Sequence, residues 1–140
     1  MKRFIWFGVL LTTIYCLGCG PRNNPTFEKT VPVRGAVVLP NGRTLTSGLV
    51  TFHPKDPTKG EARGSIKTDG RFELGTYKIN DGAMLGAYTV TVEPIFYDER
   101  GNPRLNRSLG IPPQYTDAQA STLTVEVKGE GDQDVKLQLR

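Results

Sequence analysis

The sequence predicts an all-β protein, a seven-stranded antiparallel sandwich following an N-terminal signal helix. Three observations carry this. Beyond the first twenty residues no stretch shows a helical period, whereas short runs of strict two-residue alternation recur along the chain. Sixteen Gly and ten Pro supply the tight turns that many short strands need. The best-patterned stretch, residues 68–92, pairs an Asp69-Gly70 turn and an alternating Phe72/Leu74 strand with a longer strand in which Tyr88, Val90 and Val92 share one face.

The remaining strands follow in order. Residues 31–39 place Val31, Val33, Gly35, Val37 and Leu39 on one face, and Pro32, lacking an amide proton, favours a strand start or a sheet edge. Asn41-Gly42 turns the chain. Residues 48–54 face inward with Val50 and Phe52; Ala62, Gly64 and Ile66 mark a weaker third strand. The central pair comes next, broken at Asp81-Gly82. The chain closes with Leu123/Val125/Val127 and Val135/Leu137/Leu139, joined by a turn over residues 129–132. Residues 95–121 have no sustained period and read as a long loop, a length at which loops in compact domains are often functional or mobile.

The N-terminus reads as an export signal. Lys2 and Arg3 precede an apolar run of about 14 residues, too short to span a bilayer as a helix but suited to a signal peptide. The run ends in CLGCG (16–20), which resembles a bacterial lipobox at Gly18 and Cys19, with Cys16 where that motif usually has Leu. The expected organisation is a lipoprotein signal peptide over 1–18, a polar tether over 19–30 beginning at the lipidated Cys19, and a β-sandwich domain over 31–140. Both cysteines precede residue 20, so the exported domain can hold no internal disulfide. Several acyl chains, each CH₂ worth about 0.8 kcal/mol when buried, would make the attachment stable.

Charge argues against nucleic acid. Of 18 Lys/Arg, Lys2 and Arg3 belong to the signal, leaving 16 against 14 Asp/Glu, scattered in both signs without a basic stripe. His53 is the only histidine and falls on the outward face of its strand. With no second His and no Cys nucleophile in the domain, it reads as a solvent-facing strand residue rather than a catalytic or metal-binding one. Asp69, Asp81 and the Asp98-Glu99 pair lack the spacing of a calcium loop and read as turn chemistry. No cofactor or metal is expected. The recognition residues expected on the long loop are Phe96, Tyr97, Arg100, Arg104 and Arg107, able to stack on a sugar or grip a carboxylate. The competing reading has Phe96, Ile111 and Tyr115 capping an open end of the core, with the arginines solvated.

Taken together, VRGAV (33–37), PNG (40–42), GLVTFHP (48–54), TDGRF (68–72), GAYTV (86–90) and IPPQY (111–115) resemble carboxypeptidase regulatory-like domains. More narrowly, the chain is similar to the small exported lipoproteins of that type found in planctomycete bacteria. The resemblance covers roughly residues 31–140. It implies a transthyretin-like, Greek-key (Ig-like) sandwich and a non-catalytic accessory role in the cell envelope, without ligand or catalytic residues to carry over. The hydrolase branch of the transthyretin fold ends in Tyr-Arg-Gly-Ser; this chain ends in VKLQLR, so that activity is not expected. The expected partners are the membrane, through the lipid, and an envelope protein or glycan.

Overall fold

A computed structural model describes residues 27–129 and 131–140. The expected signal helix, Cys19 and the first part of the tether lie outside the described residues. Eleven strands follow: β1 (Thr30–Val31), β2 (Val33–Val38), β3 (Leu49–Pro54), β4 (Ala62–Ser65), β5 (Arg71–Glu73), β6 (Ala83–Met84), β7 (Gly86–Glu93), β8 (Ile95–Tyr97), β9 (Pro103–Leu105), β10 (Thr124–Val127) and β11 (Gln133–Gln138). Two larger sheets, ordered β10-β7-β3-β4 and β11-β2-β5, pack face to face as a β-sandwich; β1-β6 and β8-β9 are small two-stranded sheets.

The apolar faces read from the alternation are the faces that meet. Val37, Phe72, Leu137 and Leu139 from one sheet join Val50, Phe52, Tyr88, Val90 and Val92 from the other in one core. The Phe52 ring lies 6.4 Å from that of Phe72 and 5.7 Å from that of Tyr88, so aromatic contacts bridge the sheets. Each such side chain contributes about 1.5–3 kcal/mol through burial. Tyr88 is wholly buried, but its hydroxyl donates to the Met84 carbonyl at 2.8 Å. Burial pushes that phenol above its ordinary pKa. Gly35 pairs with Val135 of the neighbouring β11 and leaves no room for a side chain: a Cβ there would meet the Val135 carbonyl and the Phe72 ring. Pro32 marks the point where the first predicted strand changes sheet, β1 pairing with β6 and β2 with β5 and β11.

The two packed sheets hold four and three strands, and four further short strands form the two small sheets. Two expectations are corrected. The sheets are not wholly antiparallel, because β11 runs parallel to β2 from Gln133↔Val33 to Gln138↔Val38. Alternation fixes which face of a strand is buried but carries no direction, so the parallel pairing left no mark in the sequence.

The second correction concerns residues 95–121, which are structured. β8 and β9 form a hairpin in register Phe96↔Arg104. Its turn is held by Asp98, whose Oδ1 accepts the N–H groups of Arg100 and Asn102 at 3.0 and 2.9 Å, and by Gly101 at φ 76°. Those bonds keep the Asp98 carboxyl below its ordinary pKa, the Asn102 N–H contributing most. Two 3-10 turns follow, Arg107–Leu109 and Pro113–Thr116. Tyr115, 3% exposed, plugs the core, and its hydroxyl exchanges hydrogen bonds with the Arg140 backbone. Pairs of three-residue strands and single 3-10 turns are too short to show a period.

The end of the expected tether is also placed. Phe27 packs edge-on against Tyr77 with ring centroids 4.7 Å apart.

Candidate functional site

The outer face of the four-stranded sheet carries two groups of polar side chains that touch. On β3 and β7, His53, Thr51 and Thr91 point away from the core by alternation. His53 Nδ1 lies 2.8 Å from Glu61 Oε1, and Nε2 lies 2.9 Å from Thr91 Oγ1. Glu61 Oε2 in turn accepts from Arg63 at 2.6 Å. The Arg63 guanidinium, with a smaller contribution from His53, holds the Glu61 carboxyl below its ordinary value against the opposing effect of burial. His53 is therefore on the outer face, as expected, but both ring nitrogens are occupied.

Carboxylate, imidazole and hydroxyl stand here in the order of a hydrolytic relay. Thr91, however, is 2% exposed, enclosed in a central strand. A substrate carbonyl must approach a nucleophilic oxygen to about 3–3.5 Å, and Thr91 offers no such access. The arrangement cross-ties β3, β7 and the start of β4.

Arg63 also lines a groove of about 660 Å³ at the β4 margin of this face. One wall is the 75–82 loop. The Asp81 carboxylate accepts the N–H groups of Thr76, Tyr77 and Lys78 at 2.7, 3.1 and 3.0 Å and fixes the loop around itself. Asn80 takes φ 61°, and Gly82 passes so close to the Val31 carbonyl that a Cβ would collide with it. This rigid loop presents Tyr77, Lys78 and Ile79; Ile79 is 92% exposed. The floor includes Lys67, whose ammonium is 2.9 Å from Glu73 Oε2 and keeps that carboxyl below its ordinary pKa. The far side is Tyr97, from the β8–β9 hairpin.

Of the five recognition residues expected from the sequence, Tyr97 alone lines this groove. The hairpin explains the separation, since neighbours along a strand point to opposite faces. Phe96 and Arg104 stand opposite each other on the face away from Tyr97. Arg104 is tied to Asp98 at 3.0 Å, Arg100 lies in the hairpin turn and Arg107 begins a 3-10 turn. The three arginines thus stand on three different elements: the hairpin turn, β9 and the first 3-10 turn.

The groove wall over residues 77–80 escaped the sequence reading, which took Asp81-Gly82 only as a break between strands. The signal was an isolated Ile79 between Lys78 and Asn80, an apolar side chain in a polar turn. A second hollow of about 520 Å³ lies on the outer face of the other sheet, between Val38, Arg71 and Lys136, with Arg71 paired to Asp134 at 2.8 Å. Among the described residues no group of three or more His, Cys, Asp or Glu could hold a metal ion, and no helix is long and apolar enough to cross a membrane.

No family model matches the chain, and no curated protein matches it. Among solved structures it is similar to BcpA, the major pilin subunit of Bacillus cereus, at 14% identity and TM-score 0.43, over 79% of this chain and 29% of the pilin. It is also similar to a 9R-lipoxygenase from Cyanothece PCC8801, at 13% identity and TM-score 0.42, over 79% of this chain and 16% of that one. The chain thus spans under a third of the length of either.

Proposed function

We propose that the protein is a non-catalytic, lipid-anchored β-sandwich of the bacterial cell envelope, of the carboxypeptidase regulatory-like kind, acting as a structural or interaction module. The signal peptide ends before Cys19, the lipid on Cys19 holds the chain to the membrane on the periplasmic or cell-surface side, and a short tether presents the sandwich. A seven-strand Greek-key frame belongs to this reading, supported by the way consecutive strands divide between the two larger sheets. The observation that carries the non-catalytic part is Thr91. The relay-ordered groups end on a hydroxyl that is 2% exposed, while the accessible groups on the same face are rings and cations suited to contact.

A second reading, a ligand-binding module working through residues 95–121 on a glycan or acidic peptide, is favoured at one point. Tyr97 faces the groove.

The test is retention of envelope components by the full chain in detergent micelles, compared with Arg100→Ala/Arg104→Ala/Arg107→Ala. The interaction reading expects the same components on both. Loss with the triple variant moves the site onto the arginines, and retention of nothing by either contradicts an interaction role. An ester-hydrolysis assay accompanies it, and turnover abolished by Thr91→Val would overturn the non-catalytic reading.

A further inference from the structure

We infer that the groove between the 75–82 loop and the β8–β9 hairpin is a binding site for an anionic saccharide, one carrying ring carboxylates of the uronic acid type. The inference rests on the interaction-module reading above but not on its lipid anchor.

Charge gives the sign of the ligand. Arg63, Lys67 and Lys78 line the groove against a single acid, Glu73. Lys78 is exposed, next in sequence to exposed Ile79, and makes no ion pair among the described residues. Arg63 and Lys67 are held by Glu61 and Glu73, but these pairs are exposed, with Arg63 at 63% and Lys67 at 54%. Exposed pairs are worth about 0–1 kcal/mol, so a ligand carboxylate can exchange for them at little cost.

The backbone decides between saccharide and peptide. An extended peptide would bind here by adding a strand to β4, the edge of its sheet. That edge is already occupied at Arg63, the middle of the strand: the Arg63 N–H donates to the Gly75 carbonyl at 2.9 Å, and the Gly75 N–H donates back to the Arg63 carbonyl at 2.9 Å. The Glu73 carbonyl covers Gly64 so tightly that a Cβ there would collide with it. Recognition is left to side chains. Tyr77 and Tyr97, 39% and 53% exposed, line the groove together with the cations, and Tyr77 also carries Phe27 edge-on at 4.7 Å, so Tyr97 is the freer ring. An exposed aromatic ring beside exchangeable cations suits a chain of pyranose rings, whose C–H faces pack on the aromatic ring while their carboxylates pair with the cations. The loop needs no ordering on binding, because Asp81 already holds it.

The experiment is calorimetric titration of the full chain, in uncharged detergent micelles at low salt, with trigalacturonate, a neutral cellotriose and pentaglutamate. Trigalacturonate should bind, weaken as salt rises, and exceed cellotriose by about tenfold or more, the worth of a charge-assisted contact. Lys67→Ala/Lys78→Ala and Tyr97→Ala should each weaken binding by about tenfold. Lys136→Ala, in the hollow of the opposite sheet, should leave it unchanged. Lys78→Glu serves as a second variant, because that side chain supports nothing and its melting curve should match the wild type. No binding of trigalacturonate, equal binding of cellotriose, or wild-type affinity in the groove variants overturns the assignment. Equal binding of pentaglutamate overturns it in favour of an acidic peptide. Acylation of Cys19, read separately by intact mass, stays independent, so an acylated chain that fails to bind loses the groove assignment alone.

Discussion

Thr89 and Thr91 share the outer face of β7, and alternation alone makes both tolerant of change. The structure separates them. Thr91 is 2% exposed and its hydroxyl meets His53 Nε2 at 2.9 Å, whereas Thr89 is half-buried. Thr91→Val should cost about 0.5–1.5 kcal/mol, the worth of one hydrogen bond, and Thr89→Val should stay within about 0.5 kcal/mol. Paired thermal melts of the two variants check this. Glu61 adds a pH dependence. Its folded pKa lies below the ordinary 4.5 because of Arg63 first and His53 second. A depressed carboxylate contributes stability that is fully present above its unfolded pKa and is lost as pH falls through the folded value. Glu61→Gln should therefore lower the melting temperature above pH 4.5, with the difference shrinking in more acid solution. A gap that widens on acidification would show that Glu61 is not held in this way. The residue-scale lesson is that the inward faces of the longer strands were legible, because burying one face leaves a two-residue period, whereas Leu45, Ala83 and Met84, buried outside such runs, were not. The traffic between outward side chains was not, because partners such as Glu61 and Thr91 lie far apart in sequence and leave no period.

Elements show the same division. The stretches with four or more alternating residues read as strands from the sequence, including the weak β4. The hairpin β8–β9 did not, since three residues a side are too few, and Asp98 does there what a longer strand pairing would do. Its turn was foreseen in Asp98, but its consequence was not. Folding residues 95–105 back on themselves sends Tyr97 to the groove and Arg104 to the opposite face, dispersing a cluster that looked continuous on paper. Later in the same segment, Tyr115 holds the C-terminus to the core. The Arg140 N–H bonded to its hydroxyl lowers the phenol pKa against the effect of burial. Tyr115→Phe should cost about 1 kcal/mol and Tyr115→Ala about 3–5 kcal/mol. Leu137→Ala, on the parallel strand, should cost about 2–5 kcal/mol. Chemical denaturation of the three variants gives the ordering, and a tolerant Tyr115→Ala would show that residues 106–121 do not brace the core.

For the whole molecule, the sandwich divides its surface by role. The inner faces fix the frame. The outer face of the four-stranded sheet carries the His53 cross-tie and the groove, and the outer face of the other carries charges that pair among themselves, such as Arg34 with Asp132 at 2.7 Å. Phe27 against Tyr77 places the first described residue beside the groove's loop wall. Everything proposed for the protein at the envelope depends on its lipid attachment, so the most direct measurement is the intact mass of the mature chain purified from membranes. The account predicts a chain beginning at Cys19, carrying acyl modification there, with Cys19→Ala abolishing both the modification and detergent partitioning and Cys16→Ala affecting neither. An unmodified mature N-terminus in the wild type, or a chain still carrying residues 1–18, would contradict it.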